Sequence, residues 1–287
     1  MVVGIIGLGL MGASFARTLK KQGGYTVYGI DQSADVMRKA ELLCAIDAPL
    51  TQERVKEVDL LVFALYPRAF LSTAQQWVPH LKEGAIVTDF CGNKRIVLSA
   101  MQSLQKLRPD LHFVGGHPMA GREYSGIEHA VTTLFEKASM ILVPLTSNVS
   151  KLDWLKKFYL SVGFGEVVFT TAEHHDSMIA YTSQLCHIVS NAFIKNQSAE
   201  KHCGYSAGSY RDLTRVARLN GKMWTELMMD NRDMLSKELD ELIFHLTEYK
   251  NALQENDENK LLDLLESGNN RKLKIDSRKK SNDNPDG

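Results

Sequence analysis

The sequence predicts an α/β domain built on a doubly wound parallel sheet, followed by an all-α domain. Three observations predict it. Strand and helix patterns alternate through the first 170 residues, and from Ala172 onward strand signal almost disappears. The first strand also runs directly into a glycine-rich turn that opens a helix, in GIIGLGLMGASFARTLKKQG at 4–23. Strands that alternate with helices imply a parallel sheet covered on both faces.

The elements follow in order. VVGIIG is a short apolar strand, and the helix from Met11 to Lys21 places Met11, Phe15 and Leu19 at intervals of four. YTVYGID is the next strand, and SADVMRKAELL the next helix, with Ser33 as its N-cap. DLLVFAL (59–65), GAIVTDF (84–90) and LHFVGG (111–116) read as further strands, with helical patterns near 69–78 and 93–107. ASMILVP (138–144) and EVVFTT (166–171) complete the sheet. Beyond it, AEHHDSMIAYTSQLCHIVSNAFIKN, SYRDLTRVARL and MWTELMMDNRDMLSKELDELIFHLTEYKNALQEN each read as one helical run. NKLLDLLESG closes the folded part with Gly268 as its stop, and the basic tail RKLKIDSRKKSNDNPDG is expected to be disordered. The expected division is 1–170, 171–268 and a tail at 269–287. The apolar faces of such long helices exceed what a small helical domain can cover by itself, so a homodimer through that half is expected.

Composition narrows the function. The 287 residues are 44% hydrophobic and 24% charged, which fits a chain able to bury a substantial core. Acidic and basic residues balance at 34 each, so no global field points to nucleic acid or an anionic membrane. Cys44, Cys91, Cys186 and Cys203 lack metal-ligand spacing and are expected to be free thiols. No stretch has the length and apolarity of a membrane span, and no signal-peptide pattern opens the chain; the expected location is the cytoplasm.

The glycines of the first turn have a mechanism. Gly7 allows the tight turn, Gly9 lets a pyrophosphate approach the backbone, and Gly12 lets the helix pack closely on the sheet. The N–H groups at the helix start, around Leu10 and Met11, offer partial positive charge to phosphates. Asp31 follows Gly12 by 19 residues at the end of the second strand, where a carboxylate accepts bonds from a ribose diol. This is a Rossmann-type fingerprint. The carboxylate at 31 repels a 2′-phosphate, which favours NAD over NADP as the cofactor.

The second informative stretch is VGGHPMAGREYSG at 114–126. It follows the fifth strand at the C-terminal edge of the sheet, where open α/β sheets bind ligands. His117 sits there between a glycine pair and Pro118. It is either a group that exchanges a proton near neutral pH or a loop histidine bonded to a backbone carbonyl.

The fingerprint, GGHPMAG, EHHDSMIAYTSQLCH and DLTRVARLNGKMW together resemble the prephenate dehydrogenase family, from residue 1 to about 265. The resemblance implies NAD-dependent oxidative decarboxylation of prephenate to 4-hydroxyphenylpyruvate, in tyrosine biosynthesis. It implies His117 as the catalytic base that accepts the proton of the 4-hydroxyl. Arg215 corresponds to the family's carboxylate-binding arginine, and His187 to a histidine lining the substrate pocket. Glu123 is expected in a polar network that gates the site. Gly208 and Trp224 lie near the pocket, Trp224 either in it or in the core. Tyrosine is an expected feedback inhibitor.

Three departures stand out. Gly92, in DFCGNK, replaces a serine that supports the catalytic histidine in many relatives; either Asn93 or a water takes its place. Gln184 replaces a histidine one turn before His187 and remains a candidate substrate contact. Arg122 either pairs with Glu123 or faces the substrate. His174, His175 and Asp176 suggest a metal, but neighbours on a helix diverge by about 100° and do not readily share one ion, so no metal site is expected. Arogenate as substrate and a non-catalytic dinucleotide sensor are the alternatives. A 3-hydroxyacid dehydrogenase is disfavoured, because the long helix has only Lys195, near its far end, to act as the lysine such enzymes use.

Overall fold

The computed structural model describes residues 1–122 and 124–282. The apolar runs form eight strands: β1 (Val2–Ile6), β2 (Thr26–Ile30), β3 (Ala48–Pro49), β4 (Leu60–Phe63), β5 (Ile86–Asp89), β6 (His112–Pro118), β7 (Ser139–Pro144) and β8 (Glu166–Phe169). Their order in one sheet is β3-β2-β1-β4-β5-β6-β7-β8. Every residue of β4 and β5 is buried, as central strands covered on both faces require. The order reverses between β1 and β4, which opens a crevice at the carboxyl ends of those strands.

Strands β3 through β6 are parallel. β7 runs antiparallel to β6, and β8 is parallel to β7. The expected fully parallel sheet is thus corrected at its last two strands. A parallel return needs a crossover, usually a helix. Among its described residues, the segment between β6 and β7 forms only a short 3₁₀ turn, at Ile127–His129.

Five helices cover the sheet: α1 (Leu10–Gln22), α2 (Ala34–Leu42), α3 (Pro67–Trp77), α4 (Arg95–Leu107) and α5 (Val149–Val162). Ser33 caps α2 as its sequence suggests, its Oγ accepting from the Val36 N–H at 3.4 Å. Phe15 anchors α1 in the core, edge-on to Phe90 at 5.1 Å and to Phe135 at 5.9 Å. Helix α5 is an element the sequence reading did not assign. It is capped by Asn148, which accepts from Lys151 N–H at 3.1 Å, and it buries Leu155, Phe158, Tyr159 and Val162.

The expected long helix from Ala172 is three pieces: α6 (Ala172–Ile179), a π-helical segment (Ala180–Leu185) and α7 (Cys186–Phe193). α8 (Gly208–Thr214) and α9 (Gly221–Asp230) follow. The run expected from residue 223 to 256 is two helices, α9 and α10 (Arg232–Gln254), separated by Asn231. Asn231 is fully buried with φ −121° and ψ 22°, and its side chain is committed to bonds described below.

The chain divides into two compact units, Met1–Arg232 and the residues from Asp233 on. The second contains α10 and α11 (Glu258–Asn282), joined by a bond from Tyr249 OH to the Leu264 carbonyl at 3.2 Å. α11 corrects the expected stop at Gly268 and the expected disorder of 269–282. A glycine inside a helix costs about 1 kcal/mol but ends it only when it adopts a left-handed conformation. Gly268 does not adopt one. Residues 283–287 lie outside the described ones.

Candidate active site

The nucleotide end of the site is built by the first turn. Gly7 has φ 91°, and a Cβ there would meet the Ala64 carbonyl oxygen at 2.5 Å. A Cβ on Gly12 would lie 1.9 Å from the Gly7 oxygen, so no side chain fits. A Cβ on Gly9 would meet nothing within 4 Å, which leaves the backbone there open to a ligand. Helix α1 begins with no side-chain cap and no acid in its first turn. The N–H groups at Leu10 and Met11 are therefore left for an anion.

Asp31 holds the same turn from the end of β2. Its Oδ2 accepts from Leu8 N–H at 2.9 Å and its Oδ1 from Ser33 N–H at 2.9 Å. Each oxygen retains a second lone pair for a ribose hydroxyl. Asp31→Ala is expected to weaken NAD more than NADP. Equal losses, read as Kd by fluorescence titration, would remove the specificity role.

His117 is the penultimate residue of β6 and is half-buried. Its Nδ1 lies 2.9 Å from His175 Nε2, and His175 Nδ1 lies 2.7 Å from Asp176 Oδ1. The hydrogen-bond logic fixes the tautomers. Ionised Asp176 only accepts, so His175 carries its proton on Nδ1 and presents a lone pair at Nε2. His117 then donates from Nδ1, which leaves its own Nε2 unprotonated and basic.

Burial holds His117 well below the ordinary imidazole value of 6.5, with His175 and the charge of Lys94 acting in the same direction. Burial also lowers His175, outweighing the opposite pull of Asp176. Burial pushes Asp176 up, but the bond from His175 and the N–H groups of Lys94 and Arg95 outweigh it and hold the carboxyl below its usual range. Those amides lie 2.7 and 2.9 Å from the two Asp176 oxygens.

A set of buried amides holds this arrangement from behind. Asn231 Nδ2 donates to the Asp176 carbonyl at 2.8 Å and to Gln184 Oε1 at 2.9 Å. Gln184 Nε2 donates to Asn93 Oδ1 and to the Leu227 carbonyl, both at 3.2 Å. Asn93 Nδ2 donates to the same carbonyl at 2.8 Å, and Arg95 donates to Asn231 Oδ1 at 2.8 Å. Gln184, expected one helical turn before His187 on the same face, is only 1% exposed, and each polar atom of its amide is bonded. The intervening chain is π-helical, so the assumed α spacing does not apply.

The two readings of the Gly92 gap meet the same network. Asn93 is bonded to Leu227 and Gln184, while the neighbour of His117 is His175. A Cβ on Gly92 would approach Leu227 Cδ2 at 3.0 Å, so leucine occupies the side of the turn where a serine would project.

His187 lies apart from this network. Its Nδ1 donates to the Ser183 carbonyl at 2.8 Å, and its ring meets Trp224 with centroids 3.9 Å apart. Both line a pocket of about 250 Å³, together with Asn191, Lys195, Thr225 and Met228. Trp224 is partly exposed and is therefore a pocket residue rather than core. Gly208 starts α8, and Arg215, exposed, follows that helix directly. Arg122 donates to the His129 carbonyl at 3.3 Å. Glu123 lies outside the described residues.

Sequence reasoning missed His175, Asp176, Lys94 and Asp89 as members of the site. The signal was the His-His-Asp run, considered only as a metal ligand set. His174 is exposed and His175 buried, so the adjacent histidines point to different surroundings, and only the second reaches His117.

Comparisons with known proteins bear on both halves of the chain. Residues 15–168 match the prephenate dehydrogenase nucleotide-binding domain, and residues 171–267 match the prephenate dehydrogenase dimerization domain. Over 283 residues the chain is 30% identical to a cyclohexadienyl dehydrogenase of Zymomonas mobilis, covering 95% of each. It is 28% identical over 263 residues to a prephenate dehydrogenase of Bacillus subtilis, covering 88% of this chain and 70% of the relative. Synechocystis arogenate dehydrogenase has a similar structure, with TM-score 0.80 and 26% identity, covering 96% of this chain and 100% of that one. So has a prephenate dehydrogenase from A. aeolicus in complex with hydroxyphenyl propionate and NAD+, with TM-score 0.81 and 27% identity, covering 96% and 98%. The two domain matches together span most of the chain, and they place it in the prephenate dehydrogenase family.

Proposed function

We propose that this chain catalyses the NAD-dependent oxidative decarboxylation of prephenate to 4-hydroxyphenylpyruvate, with His117 Nε2 as the base. The observation that carries this reading is the His117–His175–Asp176 chain of hydrogen bonds, which leaves that nitrogen unprotonated. The turn at Gly7, Gly9 and Gly12, the uncapped start of α1 and the carboxylate of Asp31 fit NAD. When bound, NAD supplies the acceptor for the hydride that leaves C4 of the substrate ring.

The chain's own groups handle the proton and the carboxylates. The 4-hydroxyl proton passes to His117 Nε2 as the C4–H bond breaks. The developing carbonyl draws the C1–carboxylate electron pair into the ring, and CO2 leaves. The proton then returns from Nε2 to the oxygen, giving the phenol. Asp176 steadies the imidazole pair while His117 is cationic. Arg215 holds a substrate carboxylate, with His187, Trp224 and Gly208 beside it. Glu123 is assigned to the gate. Gln184 positions Asn93 and Asn231 instead of touching substrate.

The functional division runs 1–170 for the cofactor and 171–268 for the substrate. The second half carries the family's dimerization domain, which supports a homodimer. Tyrosine, which shares the product's ring and carboxylate, is assigned to the same pocket as an inhibitor, and the enzyme is assigned to the cytoplasm.

The test is NADH absorbance with prephenate or arogenate, each with NAD or NADP. Turnover fastest with prephenate and NAD supports the reading; tight NAD binding with no turnover on either substrate overturns it. The acid limb of kcat/KM should lie below the ordinary histidine value of 6.5, because His117 resists protonation in the fold. Stability has the same sign. The unfolded histidines take up protons as pH falls below about 6.5 while the folded pair does not, so stability falls from there downward. A pH–rate profile and urea melts across that window check both.

A further inference from the structure

Lys94 is a fully buried cation that the steps above do not use. Its side chain and that of Asp89 are both 0% exposed, and its Nζ is paired with Asp89 Oδ2. A buried ion pair is weak grounds for stability, since apolar residues of similar volume often do as well or better. Its geometry suggests another purpose.

Asp89 Oδ1 accepts from Gly116 N–H at 3.0 Å, in the residue that precedes His117. Asp89 Oδ2 also accepts from Cys91 N–H at 2.8 Å. The glycine pair before His117 makes this approach possible. A Cβ on Gly116 would lie 2.5 Å from the Asp89 carbonyl oxygen, and one on Gly115 would lie 3.3 Å from Lys94 Cδ and 2.4 Å from Leu98 Cδ1. The backbone N–H of Lys94, meanwhile, donates to Asp176 Oδ1. One residue therefore reaches both ends of the relay. Its ammonium reaches the strand under His117 by way of Asp89, and its amide reaches the carboxylate behind His175.

We propose that Lys94, through its ion pair with Asp89, is a positioning residue for the reaction, fixing His117 and His175 in register and setting a permanent positive charge behind both imidazoles. This rests on His117 as the base. The charged and titratable groups facing the pair are Asp89 from β5, Lys94 and Arg95 at the start of α4, and Asp176 from α6. Lys94 is the one whose charge disfavours a proton on both rings.

The experiment compares the wild-type chain with Asp89→Asn/Lys94→Met. That double variant removes both charges, keeps an oxygen for Gly116 N–H and keeps the backbone amide at 94. The expected result is a loss of kcat of roughly 10- to 100-fold, as for a base slightly displaced. KM for prephenate and for NAD stays within about twofold. The acid limb of kcat moves to higher pH, and the His117 ring resonances, followed by NMR, titrate at higher pH than in the wild type. Asp89→Asn alone is the second variant. A buried lysine without its partner sheds its proton, so the same changes are expected from it. A folded variant with wild-type kcat and an unmoved His117 titration overturns the proposal. If the wild-type chain fails to turn over prephenate, the functional reading falls instead, and the NMR titration still decides the role of Lys94.

Discussion

His117→Asn is expected to lower kcat with prephenate by about 10²–10⁴-fold, the usual contribution of a positioned general base. The Asn amide can still donate toward His175, so the variant removes the basic nitrogen while disturbing its support least. KM for prephenate should stay within about threefold, because the lost interaction strengthens only as the hydroxyl proton is transferred. Urea melts should show no large loss of stability, since His117 is only half-buried in the fold. A variant that retains wild-type kcat, or one that loses only KM, would show that another group takes the proton.

Arg215→Ala is expected to act in the opposite kinetic sense. A guanidinium holding a carboxylate through two charge-assisted bonds grips substrate and transition state alike, so its loss falls mainly on KM. Such bonds contribute about 2–3 kcal/mol, which predicts a KM for prephenate raised roughly 30- to 150-fold. Arg215→Lys should recover only part of this, because an ammonium cannot present the planar fork. KM for NAD should stay near its wild-type value. An unchanged KM for prephenate would assign the carboxylate clamp to another residue.

Much of the cofactor half was legible in the sequence, for physical reasons. Three glycines at fixed spacing after an apolar strand admit few backbones, and the carboxylate at 31 falls at the end of the adjacent strand. The structure shows that two of these glycines have no room for a Cβ and that the third faces open space. At His117 the glycine pair marks a close approach of strands, here to Asp89, but the residues alone leave a proton-exchanging group and a loop histidine both open, and only the family resemblance chooses the first.

What supports His117 was not legible. Its partner His175 is 58 positions away and reaches it only through the packing of α6 against the start of α4. Gln184 looked like a substrate contact because α-helical spacing placed it on the face of His187. The π segment changes that spacing, and Asn93, Asn231 and the Leu227 carbonyl take up the amide. Lys94 and Asp89 both stand in DFCGNK, but nothing in that stretch says that their side chains pair in the core, where a lysine is almost never found without a partner. The break between α9 and α10 has the same origin. Asn231 is tied to Asp176, Gln184 and Arg95, contacts that a propensity reading of a long helical run does not contain.

The most direct measurement is a crystal structure of this chain with NAD and a prephenate analogue that cannot decarboxylate but keeps the ring hydroxyl and both carboxylates. The account predicts His117 Nε2 within about 2.6–3.2 Å of the ring hydroxyl, His175 still on Nδ1, and the Arg215 guanidinium on a carboxylate of the same molecule. A ring hydroxyl bound by some other side chain, with the imidazole at 117 turned away or Arg215 out of reach, would contradict it.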